Sequence, residues 1–157
     1  MTTETTGTTQ PSTHHAPKPG ALDDLVCYFE GDFVPMRDAR VNIMTHAFMY
    51  GTATFEGIRA YWNEEQGRLY GLKLREHVER IRQSCRILLM KDVPSVDELT
   101  GLIVETVRRN GFRQDAYIRP SFYKSTRAFG VRLHDLDNEL YIIALPNELH
   151  LPVSLKL

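Results

Sequence analysis

The spacing of apolar residues changes once along this chain, near residue 73, and that change restricts the folds open to it. Before it, short β-prone runs alternate with turn residues. Leu25-Val26-Cys27-Tyr28-Phe29 meets Phe33-Val34 across the break Glu30-Gly31-Asp32, which reads as a hairpin. Thr54 to Trp62 is strand-like, the polar link Asn63 to Gly67 turns the chain, and Arg68-Leu69-Tyr70-Gly71-Leu72 returns it. Beyond the change, Leu74, Val78, Ile81, Cys85 and Leu88 recur at steps of four and three, one face of a helix over about 73–90. A second helix opens at Pro94-Ser95, where Ser95 and Glu98 fit a capping box, and stops at Asn110-Gly111. Leu99, Leu102, Ile103 and Val107 give it an apolar stripe. Ala116 to Tyr123 and Leu140 to Leu145 return to strand, joined by a charged, glycine-containing loop over 124–138. This segregation predicts an α+β domain with a largely antiparallel sheet and two main helices.

The first 22 residues carry few large apolar groups and are expected to form a flexible tail, because nothing there offsets the entropy cost of ordering. The folded domain is placed at 23–146. A formal charge of −1, from 19 basic and 20 acidic side chains spread along the chain, provides no broad field for nucleic acid or an anionic membrane. Arg108-Arg109 and the arginines of 75–86 fall on amphipathic helix faces and lack the interleaved aromatics of a strand-binding surface. Cys27 and Cys85 lie far apart in apolar surroundings and match no paired metal spacing, and His14-His15 has no further ligands nearby. No run approaches the ~20 apolar residues of a membrane span, so a cytoplasmic location is the default.

Three segments are poorly explained by packing. In the stretch from Thr45 to Tyr61, period-two alternation sends Phe55, Gly57, Arg59 and Tyr61 to one face. An arginine and a gap without a side chain beside two aromatics make a poor core and suit a pocket wall. On the first helix, Arg80 lies about 120° from the centre of the apolar stripe at ~100° per residue. An arginine on that border suits a phosphate with its planar fork; the plainer alternative is an ordinary helix-surface arginine. In Ala116-Tyr117-Ile118-Arg119-Pro120, Tyr117 and Arg119 share a strand face, and a phenol beside a guanidinium suits a carboxylate. The alternative there is an edge strand with an ion pair, which Pro120 permits because proline cannot donate to a central ladder.

Together and in this order, the segments resemble the branched-chain aminotransferases, members of the fold-type IV pyridoxal-phosphate (PLP) enzymes. The resemblance rests on Tyr28-Phe29-Glu30-Gly31 with Phe33-Val34-Pro35; Thr45-His46-Ala47 through Tyr50-Gly51-Thr52 to Phe55-Glu56-Gly57-Ile58-Arg59; Arg75-Glu76-His77 with Arg80; and Ala116-Tyr117-Ile118-Arg119-Pro120. It covers about residues 26–146 and implies the small, N-terminal domain of such an enzyme. By that resemblance Arg80 matches the arginine that binds the PLP phosphate. Tyr50, Phe55, Gly57 and Arg59 match positions lining the substrate pocket, whose apolar wall favours Val, Leu or Ile at ~0.8 kcal/mol per buried CH₂. Tyr117 and Arg119 match residues of carboxylate recognition. Val131 matches a loop residue reaching the neighbouring subunit's pocket. The implied reaction moves an amino group between an amino acid and a 2-oxo acid, with 2-oxoglutarate as partner of Leu, Ile or Val, in a homodimer or higher homo-oligomer.

The resemblance also sets limits. Lys18, Lys73, Lys91, Lys124 and Lys156 are the lysines present, and none stands in the family's Schiff-base context, which lies in the large domain that follows. Residues 147–157 depart from the family pattern and form an atypical tail. The expectation is therefore a transaminase part that is inactive alone. The alternatives are another fold-type IV activity, D-amino-acid transamination or aminodeoxychorismate cleavage, or a non-catalytic fragment acting as an interaction module through an exposed apolar pocket face.

Overall fold

The structure, a computed structural model, describes residues 20–146. The expected flexible tail falls outside the described residues except for 20–22, as do His14-His15, Lys18, Lys156 and the segment 147–157. Among the described residues, seven strands form one antiparallel sheet: β1 (Val26–Phe29), β2 (Asp32–Pro35), β3 (Ala53–Phe55), β4 (Ile58–Asn63), β5 (Arg68–Gly71), β6 (Ala116–Lys124) and β7 (Asn138–Pro146). The order is β2-β1-β7-β6-β4-β5, and β3 pairs with β6 beside β4. Three helices accompany it: a single turn α1 (His46–Tyr50), α2 (Leu74–Ile87) and α3 (Val96–Asn110), with a 3₁₀ turn at Met36–Asp38. The α+β architecture matches the sequence expectation; the short α1 was not foreseen, because one helical turn is too brief to show a period.

The two long helices cover one face of the sheet. Val78, Ile81 and Cys85 of α2 and Leu99 and Ile103 of α3 pack against Ile58, Ala60, Ile118, Phe122, Leu140, Ile142 and Ala144, the alternate residues of the central strands. The stripes read from sequence are thus the buried ones, and Leu74, Leu88, Leu102 and Val107 flank them. Thr106 is also buried on α3, tolerated because its hydroxyl donates to the Leu102 carbonyl one turn back. Ser95 caps α3 through the expected reciprocal box with Glu98. Gly111 ends it in the left-handed region, φ 62°, where a Cβ would be strained. Asn110 then ties the helix end to β1, accepting from Val26 N–H and donating to Val26 C=O, each at 2.8 Å.

Thr54 to Trp62 does not run as one strand. β3 and β4 pair with β6 in the same register, Phe55 with Ser121 and Ile58 with Ile118, so Glu56 falls opposite Pro120. Glu56 N–H donates to Pro120 C=O at 3.1 Å, but Pro120 has no N–H to return. The ladder breaks there. Pro120 accordingly lies in a central strand, between β7 and the β3–β4 break, and not at the sheet edge that the ion-pair alternative required.

Lys124, at the end of β6, is fully buried; its Nζ donates to the carbonyls of Leu89 and Leu136 at 2.8 and 3.3 Å. Desolvation pushes its pKa down. This lysine is a structural tie between the end of α2 and the 125–137 loop. Both cysteines are buried, and burial raises each thiol, Cys85 to about 12. At pH 8 the folded protein should therefore leave a thiol-specific disulfide reagent such as DTNB unreacted for minutes, and release two equivalents at once in guanidinium. Rapid labelling of either thiol without denaturant would show that this core opens readily.

Candidate active site

The uncovered face of the sheet holds the residues that alternation set apart. Phe55, Gly57, Arg59 and Tyr61 are exposed, while Glu56, Ile58 and Ala60 between them are buried toward the helices. Tyr117 and Arg119 project from β6 onto the same open face, and Arg59 pairs with Tyr117 in the ladder. The Arg119 guanidinium carbon sits 3.6 Å from the centroid of the Phe55 ring. Stacking of that kind holds the guanidinium plane and leaves its edge for an anion. Arg119 Nε and Ser121 Oγ, on neighbouring same-face positions of β6, are both buried without a hydrogen-bond partner. A buried donor left unpaired costs about 1–3 kcal/mol, which an arriving acceptor would recover.

Gly57 is a fitted gap. A Cβ built there would meet the Tyr117 hydroxyl at 2.9 Å and its Cε2 at 3.2 Å. Only a glycine allows the phenol to lie across the strand at this point.

Arg80 approaches the same segment from the helix side. Its Nε donates to Glu56 Oε1 at 2.6 Å and its Nη2 to Glu56 Oε2 at 2.5 Å, and His77 Nδ1 donates to Oε2 at 2.8 Å. The Glu56 side chain is 6% exposed and that of Arg80 65%. Burial pushes the Glu56 carboxyl up, but hydrogen bonds and charge from Arg80 and His77 outweigh it and hold the group below the ordinary range. A depressed folded-state value stabilises the fold at neutral pH and is lost as acidification protonates the carboxylate. The Arg80 guanidinium rises correspondingly through its hydrogen bond to Glu56.

Phe55-Glu56-Gly57 is thus a common seat: Arg119 lies over the first residue, Arg80 grips the second, and Tyr117 lies over the third. Arg80 comes from one face of the sheet and the Tyr117–Arg119 pair from the other. Tyr50 and Val131 belong to a second cluster. The Tyr50 hydroxyl accepts from Gly130 N–H at 3.0 Å, and fully buried His46 bridges Thr52 Oγ1 and Gly130 C=O, each at 2.8 Å. Because a carbonyl only accepts, His46 carries its proton on Nε2. The pinned loop presents Val131 and Phe129 to solvent, 81% and 83% exposed.

Sequence reading did not single out Glu56, His46 or Ser121. Alternation did place Glu56 opposite Phe55 and Gly57, and a carboxylate aimed at a helix face was the available signal. His46 stood only as a member of the Thr45-His46-Ala47 motif, with no role of its own, and Ser121 gave no signal, since their significance depends on loop and strand contacts remote in sequence. Among the described residues no group of three or more His, Cys, Asp or Glu side chains is placed to hold a metal, and no helix is long and apolar enough to cross a membrane.

The chain is similar to several known proteins. Residues 53–155 match the family model described as amino-transferase class IV. A probable branched-chain-amino-acid aminotransferase of Aquifex aeolicus is 44% identical over 115 residues, 73% of this chain and 37% of the relative. The branched-chain-amino-acid aminotransferase of Escherichia coli K12 is 36% identical over 66% of this chain and 33% of its own. The crystal structure of the branched-chain aminotransferase of Thermoproteus uzoniensis with norvaline superposes with a TM-score of 0.73 at 38% identity, covering 78% of this chain and 40% of that one. The T.th. branched-chain amino acid aminotransferase complexed with N-(5'-phosphopyridoxyl)-L-glutamate gives 0.71 at 36% identity, over 77% and 40%. The chain spans between one third and two fifths of the length of these proteins.

The gap at Gly57 is open to a direct check. Gly57→Ala should displace the Tyr117 hydroxyl, visible by crystallography, while the unfolding free energy changes by less than about 1 kcal/mol, because the atom that must yield is the tip of a side chain. An unmoved Tyr117 with a large loss of stability would mean that the glycine serves the strand and not the phenol.

Proposed function

Because this chain belongs to the class IV aminotransferases, with branched-chain aminotransferases among its relatives and structural neighbours, we propose that it forms the phosphate and substrate walls of a PLP-dependent transaminase for Leu, Ile and Val. The observation that carries this reading is the seat at Phe55-Glu56-Gly57, where one short segment receives two guanidinium groups and a phenol. The residues suit the cofactor and an amino-acid substrate. Arg80 Nη1 has no partner among the described residues and its side chain is largely exposed, so a phosphate has an open, permanently charged fork to meet. The buried, unpaired Nε of Arg119 favours a carboxylate acceptor at the opposite face. A neighbour complexed with N-(5'-phosphopyridoxyl)-L-glutamate supports both ligand classes.

When bound, pyridoxal phosphate supplies the electron sink for breaking the substrate's α C–H bond. The chain's own residues bind and orient. Arg80 holds the phosphate end. Phe55, Gly57 and Arg59 form the wall beside the substrate, where the Phe55 ring offers apolar surface and excludes water from an aliphatic side chain. Tyr117 and Arg119 hold a carboxylate, which lets the same apolar wall admit glutamate as amino donor. Tyr50 is assigned to the substrate pocket, and Val131, joined to it through Gly130, to the neighbouring subunit's pocket in a homodimer or higher homo-oligomer. The lysine that attaches the cofactor is assigned to a part of the protein outside residues 1–157, since Lys124 is committed to two backbone carbonyls and no lysine here stands in the family's Schiff-base context. A cytoplasmic location, the domain limits 23–146 and the atypical tail 147–157 belong to the same reading.

Leucine, 2-oxoglutarate and PLP supplied to residues 1–157 should give no glutamate, whereas a protein completed with the large domain should turn over and lose about tenfold or more in PLP affinity on Arg80→Gln. Turnover by residues 1–157 alone would refute the assignment of the lysine. A completed protein acting on D-amino acids or aminodeoxychorismate, and not on leucine, would refute the substrate class.

A further inference from the structure

Arg80 is the most exposed member of the phosphate-side cluster, and an arginine on a helix surface ordinarily samples many rotamers; its guanidinium is nevertheless fixed here by a residue that touches neither phosphate nor substrate on the proposed reading. Glu56 lies at the place where the sheet ladder lacks a donor, opposite Pro120, and its buried side chain meets α2. There it consumes Nε–H and one Nη2–H of Arg80 with its two oxygens, in the bidentate geometry that fixes a guanidinium plane. Of the five N–H groups of the fork, the two on Nη1 are left without a partner among the described residues, while Nη2 also lies 3.4 Å from His77 Nδ1. His77, one helical turn before Arg80, donates to Oε2 from the third direction and holds the carboxylate against rotation.

We propose that Glu56 is the positioning residue of the anion site, locking the Arg80 guanidinium so that its free edge is already aimed when a phosphorylated ligand arrives. The inference rests on Arg80 as the phosphate-holding residue. An unlocked arginine would keep its charge and still attract phosphate, but it would lose rotamer freedom at binding, and that cost appears as weaker affinity. A salt bridge serving stability alone would change binding of phosphorylated and unphosphorylated ligands equally. Positioning changes only the first.

The experiment is a titration of the protein, folded with its large domain, with pyridoxal 5'-phosphate and with pyridoxal, following chemical shifts or absorbance, for the unsubstituted protein and for Glu56→Gln, Glu56→Asp and Arg80→Gln. The unsubstituted protein should bind the phosphorylated ligand more tightly, and Arg80→Gln should abolish most of that preference. Glu56→Gln should reduce the preference about tenfold while leaving affinity for pyridoxal unchanged. Folding should survive, because the Arg80 charge it frees is already largely in solvent. Glu56→Asp keeps the charge and shortens the reach, and its preference should also fall, which separates geometry from electrostatics. In the unsubstituted protein without ligand, the Arg80 Nε–H should give a distinct, slowly exchanging NMR signal. A preference untouched by Arg80→Gln overturns the phosphate reading and this inference together. A preference lost in Arg80→Gln but retained in both Glu56 variants, or an Arg80 Nε–H in fast exchange, overturns the positioning role alone.

Discussion

A central strand that contains a proline is the constraint on which the site depends. Pro120 can accept from Glu56 but cannot donate, and the missing bond divides the strand opposite into β3 and β4 without shifting its register. The cost is modest, because β6 retains an unbroken ladder to β7 along nine paired residues. The consequence is local: Glu56 keeps its orientation toward the helices, and α2 brings His77 and Arg80 to its carboxylate. A buried carboxylate is tolerable only when its charge is matched and its oxygens are bonded. Here two oxygens receive three donors.

Opposite faces of the sheet meet the same short segment. Alternation along the strand turns Glu56 toward the helices, where Arg80 holds it, and turns Phe55 and Gly57 to the open face, where Arg119 and Tyr117 lie over them. Each arginine thereby has its own partner, a carboxylate for Arg80 and an aromatic ring for Arg119, on neighbouring residues of one segment.

Much of this was legible in the sequence. Period-two alternation from Phe55 to Tyr61 and from Ala116 to Arg119 assigned each residue to its face, because a side chain in a strand has only two directions. The four-and-three spacing of Leu74 to Leu88 likewise fixed the buried side of α2 and left Arg80 on its border. What sequence did not reveal were relations between distant positions. Pro120 was compatible with an edge strand until the pairing of β6 with β7 on one side and β3 and β4 on the other placed it centrally. His46 is an ordinary residue in a short helical turn until Gly130, 84 positions away, accepts its Nε2 proton. Lys124 has the composition of a surface residue, and only the carbonyls of Leu89 and Leu136 make its burial tolerable.

Arg80 and Arg119 differ in a way that bears on how a site of the proposed kind would discriminate. Arg80 is exposed and already neutralised by a buried carboxylate, so an anion joining it gains geometry more than net charge. Arg119 is stacked on Phe55 with a buried, unsatisfied Nε, so an acceptor reaching it relieves an existing desolvation cost and sits directly beside an aromatic wall. On the proposed reading, a ligand that satisfies the second arginine would have an apolar portion in contact with Phe55 and a carboxylate within reach of Tyr117 and Arg119. A ligand with charge alone leaves Phe55 facing water, and one with aliphatic carbon alone leaves Nε unpaired. On the proposed reading, two differently prepared guanidinium groups on one segment would thus separate a phosphate end from a carboxylate end by their surroundings, although their chemistry is identical.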